Sequence, residues 1–201
     1  MQKKDIEKKR IIQYHIDSLI TKNVLLRMKL IVFVCFMDRF FYTPRRTNMS
    51  NTSYIPIGIP CIGKTTFGKE MAKENPYLIL ISSDMIRKEI FGEQNDSDSD
   101  RWVTNVVLRE MQRRTEEALK NGFSVYYDGG NNGWGSRIAL IKQVREYVTK
   151  IVAIQFPLDT KKAIFQNELR SEKVSNSYIS RVASSISMPK KEEGFDKIVL
   201  M

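Results

Sequence analysis

From Tyr54 onward, short apolar runs alternate with longer stretches whose apolar residues recur every three or four positions. The short runs have the length and β-branched content of buried strands, and the longer stretches have the period of amphipathic helices. This pattern predicts a strand at Tyr54–Ile57 and a helix from about Lys64 to Lys73, stopped by Asn75-Pro76. A second strand follows at Tyr77–Ile81, with Ser82-Ser83-Asp84 as the cap of the next helix. Polar residues Ser97 to Asp100 precede a long helix in which Val103, Val107, Met111 and Ala118 share one face, and Asn121-Gly122 ends it. A third strand is predicted at Phe123–Tyr127, ending at Asp128, then a helix over Arg137–Tyr147 and a fourth strand over Ile151–Phe156. Helices at about Thr160–Ser171 and Ser177–Ser187, and a last strand over Phe195–Leu200, complete the pattern. Strands separated by helices imply an α/β fold, a parallel sheet with helices on both faces.

Residues 1–48 follow a different pattern. Ile12, Ile16, Leu19, Ile20 and Val24 fall at helical spacing after a charged run, and Pro44 to Asn48 has linker composition. The apolar run Leu30–Met37 has eight residues, and a helix needs about 20 to cross a hydrocarbon core. The chain is therefore read as soluble, with residues 1–48 a basic, apolar extension and residues 49–201 the folded unit. Met49, directly before the first strand, leaves that extension open to being an appendage or the product of an upstream start.

Composition refines this picture in two places. The net charge of +10 suggests a nucleic-acid partner. However, residues 1–48 hold 11 Lys/Arg against 4 Asp/Glu (+7), so residues 49–201 hold 22 against 19 (+3). The folded unit permits a polynucleotide substrate without demanding one. The two cysteines, Cys35 and Cys61, form no disulfide framework, and a disulfide at Cys61 would obstruct the loop described next. A reducing, cytoplasmic setting is the expectation.

The chemistry begins at Gly58-Ile59-Pro60-Cys61-Ile62-Gly63-Lys64-Thr65, which satisfies G-x-x-x-x-G-K-[ST] between a predicted strand and a predicted helix. In such a loop backbone N–H groups curl around phosphate oxygens at a helix N-terminus. Gly58, Gly63, Lys64, Thr65 and the adjoining Thr66 are the expected ATP-binding set, with Thr65 offering its hydroxyl to Mg²⁺. Asp84 follows the carboxyl end of a strand, where open α/β sheets bind ligands. It fits a general base for an attacking hydroxyl, or simply a helix cap with Arg87 a surface residue. Arg87, one turn on, suits an anionic group of the acceptor. Asp128 precedes the turn-forming Gly129-Gly130-Asn131-Asn132-Gly133 and would face the metal's water shell or the acceptor, or merely cap the turn. Arg170, in Gln166-Asn167-Glu168-Leu169-Arg170, is one arginine among many on sequence alone.

Together these motifs resemble the 5′-polynucleotide kinases of the bacteriophage type and related small P-loop kinases. The resemblance spans about residues 54–200 and rests on Gly58–Thr66, Ser83-Asp84-Met85-Ile86-Arg87, Asp128 with its loop, Asn167-x-x-Arg170, and Pro189 with Glu192-Glu193-Gly194-Phe195-Asp196. It implies ATP and Mg²⁺ at Lys64 and Thr65, and Asp84 as base for a 5′-hydroxyl. It further implies Arg87 on an acceptor phosphate, Asp128 positioning the acceptor, and Arg170 as a lid arginine. The chain departs from the family pattern at Pro60-Cys61-Ile62, at Ser83 and at Gln166. The reading is an ATP- and Mg²⁺-dependent phosphotransferase acting on 5′-hydroxyl ends of RNA or DNA. A P-loop kinase of a small-molecule hydroxyl and a non-catalytic nucleotide-binding module are the alternatives.

Overall fold

The computed structural model describes residues 50–92 and 101–201. The expectations for residues 1–48, including the apolar run Leu30–Met37, lie outside the described residues. Five strands form one sheet: β1 (Thr52–Ile57), β2 (Leu78–Ser82), β3 (Ser124–Asp128), β4 (Lys150–Gln155) and β5 (Lys197–Leu200). All pair in parallel, in the order β2-β3-β1-β4-β5. The helices are α1 (Lys64–Glu74), α2 (Ser83–Phe91), α3 (Arg101–Lys120), α4 (Trp134–Val144), α5 (Thr160–Glu168) and α6 (Asn176–Ser185), with a 3-10 turn at Lys191–Glu193. The parallel α/β architecture expected from the sequence is the one observed.

Strand side chains alternate between two cores, as the two-residue period of a strand requires. Ile55, Ile57, Val125, Tyr127, Ile151 and Ala153 face one core, with Ile86 of α2, Val107 and Met111 of α3 and Leu140 of α4. Tyr126, Val152 and Ile154 face the other, with Ala163 of α5 and Ile179 and Val182 of α6. Phe67 and Met71 of α1 pack against this second cluster. Gly68 makes that approach possible, because a Cβ there would lie 2.6 Å from the Tyr126 ring.

Three local departures from the periodicity have clear causes. The helix expected from Arg137 begins at Trp134, where Ser136 Oγ donates to the Gly133 carbonyl at 2.8 Å and Arg137 N donates to the same carbonyl at 3.2 Å. The helix expected to reach Ser171 stops at Glu168, so Arg170 lies in the loop beyond α5 rather than in a helix. There the Asn167 side chain binds both the N–H and the carbonyl of Val174, turning the chain back on itself. At β2 the helix follows without a linker: Ser82 is the N-cap residue, makes no side-chain cap bond, and Asp84 sits inside the first turn.

One buried ion pair ties the last segment to the fold. Arg137 has a fully buried side chain, and its Nε and Nη2 donate to the two carboxylate oxygens of Glu193 at 2.7 and 2.8 Å. Its Nη1 reaches the carbonyls of Asn131, Asn132 and Ser187. A guanidinium matches this ring of acceptors because its donors are fixed in a planar fork.

Candidate active site

The loop between β1 and α1 mixes buried positions (Gly58, Ile59, Ile62) with half-buried ones (Pro60, Cys61, Gly63). Ile59 and Ile62 are buried in the second core and anchor it from below. Gly63 has φ 100° and Cys61 φ 62°, both in the left-handed region. Glycine adopts this readily; a cysteine held there marks a locally constrained backbone. Gly58 lies so close to β4's end that a Cβ would meet the Phe156 Cβ at 2.8 Å.

The charged groups of the loop are turned inward. Lys64 Nζ donates to the carbonyls of Gly58 at 2.9 Å and Ile59 at 2.8 Å. Burial pulls the Lys64 ammonium below its ordinary pKa, while the Asp128 carboxylate, and then Cys61 and Asp84, oppose that shift. Tyr126 donates its hydroxyl to the Lys64 carbonyl at 2.8 Å, fixing the first turn of α1 to β3. Thr65 Oγ1 donates to Asp128 Oδ2 at 2.5 Å. Asp128 is buried, and burial pushes its carboxyl pKa up against the Thr65 hydrogen bond and the Lys64 charge.

The other expected residues fall around this centre. Asp84 is exposed in the first turn of α2, near enough to Lys64 and Asp128 to act on the charge of both. The reason is topological: β2 and β3 are neighbours, and Ser82 registers with Asp128 at their carboxyl ends. Arg87 stands one turn along α2 and is half-buried. Arg170 reaches back over the loop, its Nη1 donating to Cys61 Sγ at 3.1 Å, and it acts on Lys64 as a neighbouring cation. Thr66 is exposed in the first turn of α1. Asp128, expected beside the metal's water shell or the acceptor, meets the Thr65 hydroxyl.

The paired hydroxyl and carboxylate of Thr65 and Asp128 are hard oxygen donors of the kind Mg²⁺ takes. Mg²⁺ ordinarily uses one or two protein oxygens and keeps its remaining waters. The residues present fit that ion.

Two contacts around the site escape sequence reasoning. Asn167, which the sequence gives only as part of a motif, is buried and makes four hydrogen bonds. Its Oδ1 accepts from Val174 N at 3.0 Å and Cys61 Sγ at 3.4 Å, and its Nδ2 donates to Val174 O at 2.7 Å and Asn176 Oδ1 at 3.3 Å. It thereby shapes the loop that carries Arg170. An ion pair between Lys88 of α2 and Glu172 joins that helix to the loop that carries Arg170. Both its members are exposed, so it adds little stability. The Cys61–Asn167 and Lys88–Glu172 contacts join residues far apart in the chain, so periodicity does not announce them.

A family model described as an AAA domain matches residues 54–185, well over half of the chain. The chain belongs to this family. As a P-loop kinase-type member, this AAA domain is 26% identical over 144 residues to an L-seryl-tRNA(Sec) kinase of Methanococcus maripaludis. That match covers 69% of the chain and 54% of the relative, so the chain spans about half the relative's length. Among solved structures it is similar to a chain of the Pnkp1/Rnl/Hen1 RNA repair complex, with TM-score 0.61 and 19% identity over 71% of this chain and 46% of that one. A fungal RNA kinase gives TM-score 0.56 and 18% identity over 77% of this chain and 38% of that one. A sugar kinase from Janibacter sp. HTCC2649 gives 0.52 and 16% over 75% and 84%. At these identities the structural likenesses establish the fold. Among the described residues no helix is long and apolar enough to cross a membrane.

Proposed function

We propose that this AAA domain is an ATP- and Mg²⁺-dependent phosphotransferase that phosphorylates 5′-hydroxyl ends of RNA or DNA inside the cell, with the chemistry held in residues 49–201. The observation that carries the reading is the position of Asp84. It is an exposed carboxylate close enough to the phosphate-loop lysine and to Asp128 to influence both, with Arg87 one turn beyond it. Kinase activity on an RNA-borne group in the seryl-tRNA(Sec) kinase, and the RNA kinase among the solved structures, support a nucleic-acid acceptor. The bacteriophage-type assignment is a finer proposal within that reading.

Phosphoryl transfer through a loose transition state asks for positioning and charge stabilisation rather than covalent chemistry. Lys64 leaves the Gly58 and Ile59 carbonyls to meet the β- and γ-phosphates. Thr65 and Asp128 would hold Mg²⁺, and the bound ion would supply charge neutralisation for the phosphates. Asp84 takes the proton of the acceptor hydroxyl as that oxygen attacks. Arg87 binds a phosphate of the acceptor strand, and Arg170 moves from Cys61 onto the transferring group.

The direct test is transfer of labelled γ-phosphate to a panel containing a 5′-OH oligoribonucleotide, a 5′-OH oligodeoxynucleotide, a 3′-phosphomononucleotide, seryl-tRNA and several sugars. Labelling of the oligonucleotides supports the reading. Labelling of sugars alone would make the protein a small-molecule kinase, in line with its sugar-kinase neighbour. Nucleotide binding with no transfer to any acceptor would make it a non-catalytic module.

A further inference from the structure

The loop that leaves Asp128 ends on an indole. Trp134 opens α4 and is 60% exposed. The chain's other tryptophan, Trp102, is also exposed but has the Phe91 ring edge-on at 5.6 Å. Trp134 has glycine on both sides, and it is exposed to solvent.

The mount beneath it is rigid. Asn131 is buried, and its Nδ2 donates to the carbonyls of Pro56 at 3.2 Å and Tyr127 at 2.9 Å. Ser187 N donates to Asn132 O at 3.0 Å, and the buried Arg137 holds the carbonyls of Asn131 and Asn132. An exposed large aromatic carried on a fixed loop is pre-organised for contact, because little ordering remains to be done on binding. The loop departs from the carboxyl end of β3, the strand beside β2, whose end leads directly into Asp84. Trp134 and Asp84 thus belong to the two connections that flank one end of the sheet, the ligand-binding end of such folds.

We propose that Trp134 is the base-stacking platform for the acceptor, its indole lying against a nucleobase in the first two nucleotides after the 5′-hydroxyl. This rests on the nucleic-acid reading above and gives it a specificity determinant. Aromatic stacking tolerates any base, since every base offers a π-face. The site would then select nucleic-acid ends over sugars without reading sequence.

The test uses the protein's own fluorophores. Trp102→Phe leaves Trp134 as the single indole of the chain. A short 5′-OH oligonucleotide added without ATP should quench its emission saturably. An oligonucleotide with abasic residues at its first two positions should not. In steady-state kinetics Trp134→Ala should raise the acceptor KM for the base-bearing strand by about tenfold to a hundredfold with kcat nearly unchanged. The same substitution should leave the abasic strand unaffected, and Trp134→Phe should restore most of the loss. Equal quenching by both strands, or an equal KM change for both, would overturn the stacking role while the kinase reading stood. Failure of the wild-type protein to phosphorylate any oligonucleotide would take down both.

Discussion

Thr65 Oγ1 and Asp128 Oδ2 lie 2.5 Å apart although 63 residues separate them in the chain. The contact joins the start of α1 to the end of β3 and gathers two oxygen donors beside the phosphate loop. Asp128→Asn keeps the shape but removes the charge that a divalent cation needs. The Mg²⁺ concentration for half-maximal activity should rise by about tenfold to a hundredfold, measured by metal titration at fixed ATP. An unchanged Mg²⁺ requirement would leave Asp128 a structural residue only.

The same carboxylate predicts a pH dependence of stability. Burial raises the Asp128 pKa above its unfolded value. A raised carboxylate pKa means that its contribution to stability is fully present below the unfolded pKa and is lost as pH rises through the folded pKa. Without nucleotide or metal, melting temperatures of wild type and Asp128→Asn should therefore diverge with pH. The variant should gain on the wild type as pH climbs from the carboxylate range toward neutrality. Parallel curves would show that Asp128 titrates normally.

Lys64 is held by loop carbonyls and its charge is opposed by burial. Lys64→Ala should lower turnover by at least about 10²–10³-fold, since a preorganised cation facing the transferring phosphate is lost. Stability should not fall in step, because the variant no longer buries an ammonium. Wild-type transfer by this variant would refute the phosphate-loop assignment; kinetics and thermal melts on one preparation decide it.

Asp84 and Arg87 should fail in different ways. Asp84→Asn should cut kcat by about 10²–10⁴-fold with little change in acceptor KM, as expected for loss of a general base. Arg87→Ala should chiefly raise KM for acceptors that carry a phosphate, leaving neutral alcohols unaffected. Near-normal kcat in Asp84→Asn would transfer the role of base to Asp128. Equal effects of Arg87→Ala on charged and neutral acceptors would count against a polynucleotide substrate.

The Arg137–Glu193 pair should be felt in folding. Removing one member of a buried ion pair strands the other charge, so Arg137→Met or Glu193→Gln should cost about 3–5 kcal/mol in denaturant titration. Replacing both with apolar residues should recover part of that loss. A single variant within about 1 kcal/mol of wild type would show that water reaches the pair.

How much of this was legible beforehand differs by residue. The strand and helix order followed from periodicity, because burial on two faces of a parallel sheet imposes apolar runs on strands and a three-to-four period on helices. Lys64 and Thr65 were legible because a phosphate loop is a local structure, whose spacing is fixed within a single strand-turn-helix. Asp84 was legible as a position after a strand, but not its approach to Lys64 and Asp128. That depended on β2 lying next to β3, a sheet order that the sequence did not supply. Arg170 was placed in a helix by its pattern, whereas the side chain of Asn167 ends that helix and turns the loop toward Cys61. The Arg137–Glu193 pair, 56 residues apart, left no trace in the local pattern. The chain by itself thus determined the elements and the phosphate loop, whose causes are local. Only the tertiary structure decided which carboxylate meets Thr65, which residues shape the arginine loop, and where a buried charge finds its partner. Those outcomes depend on strand order and packing between residues that are distant in the chain.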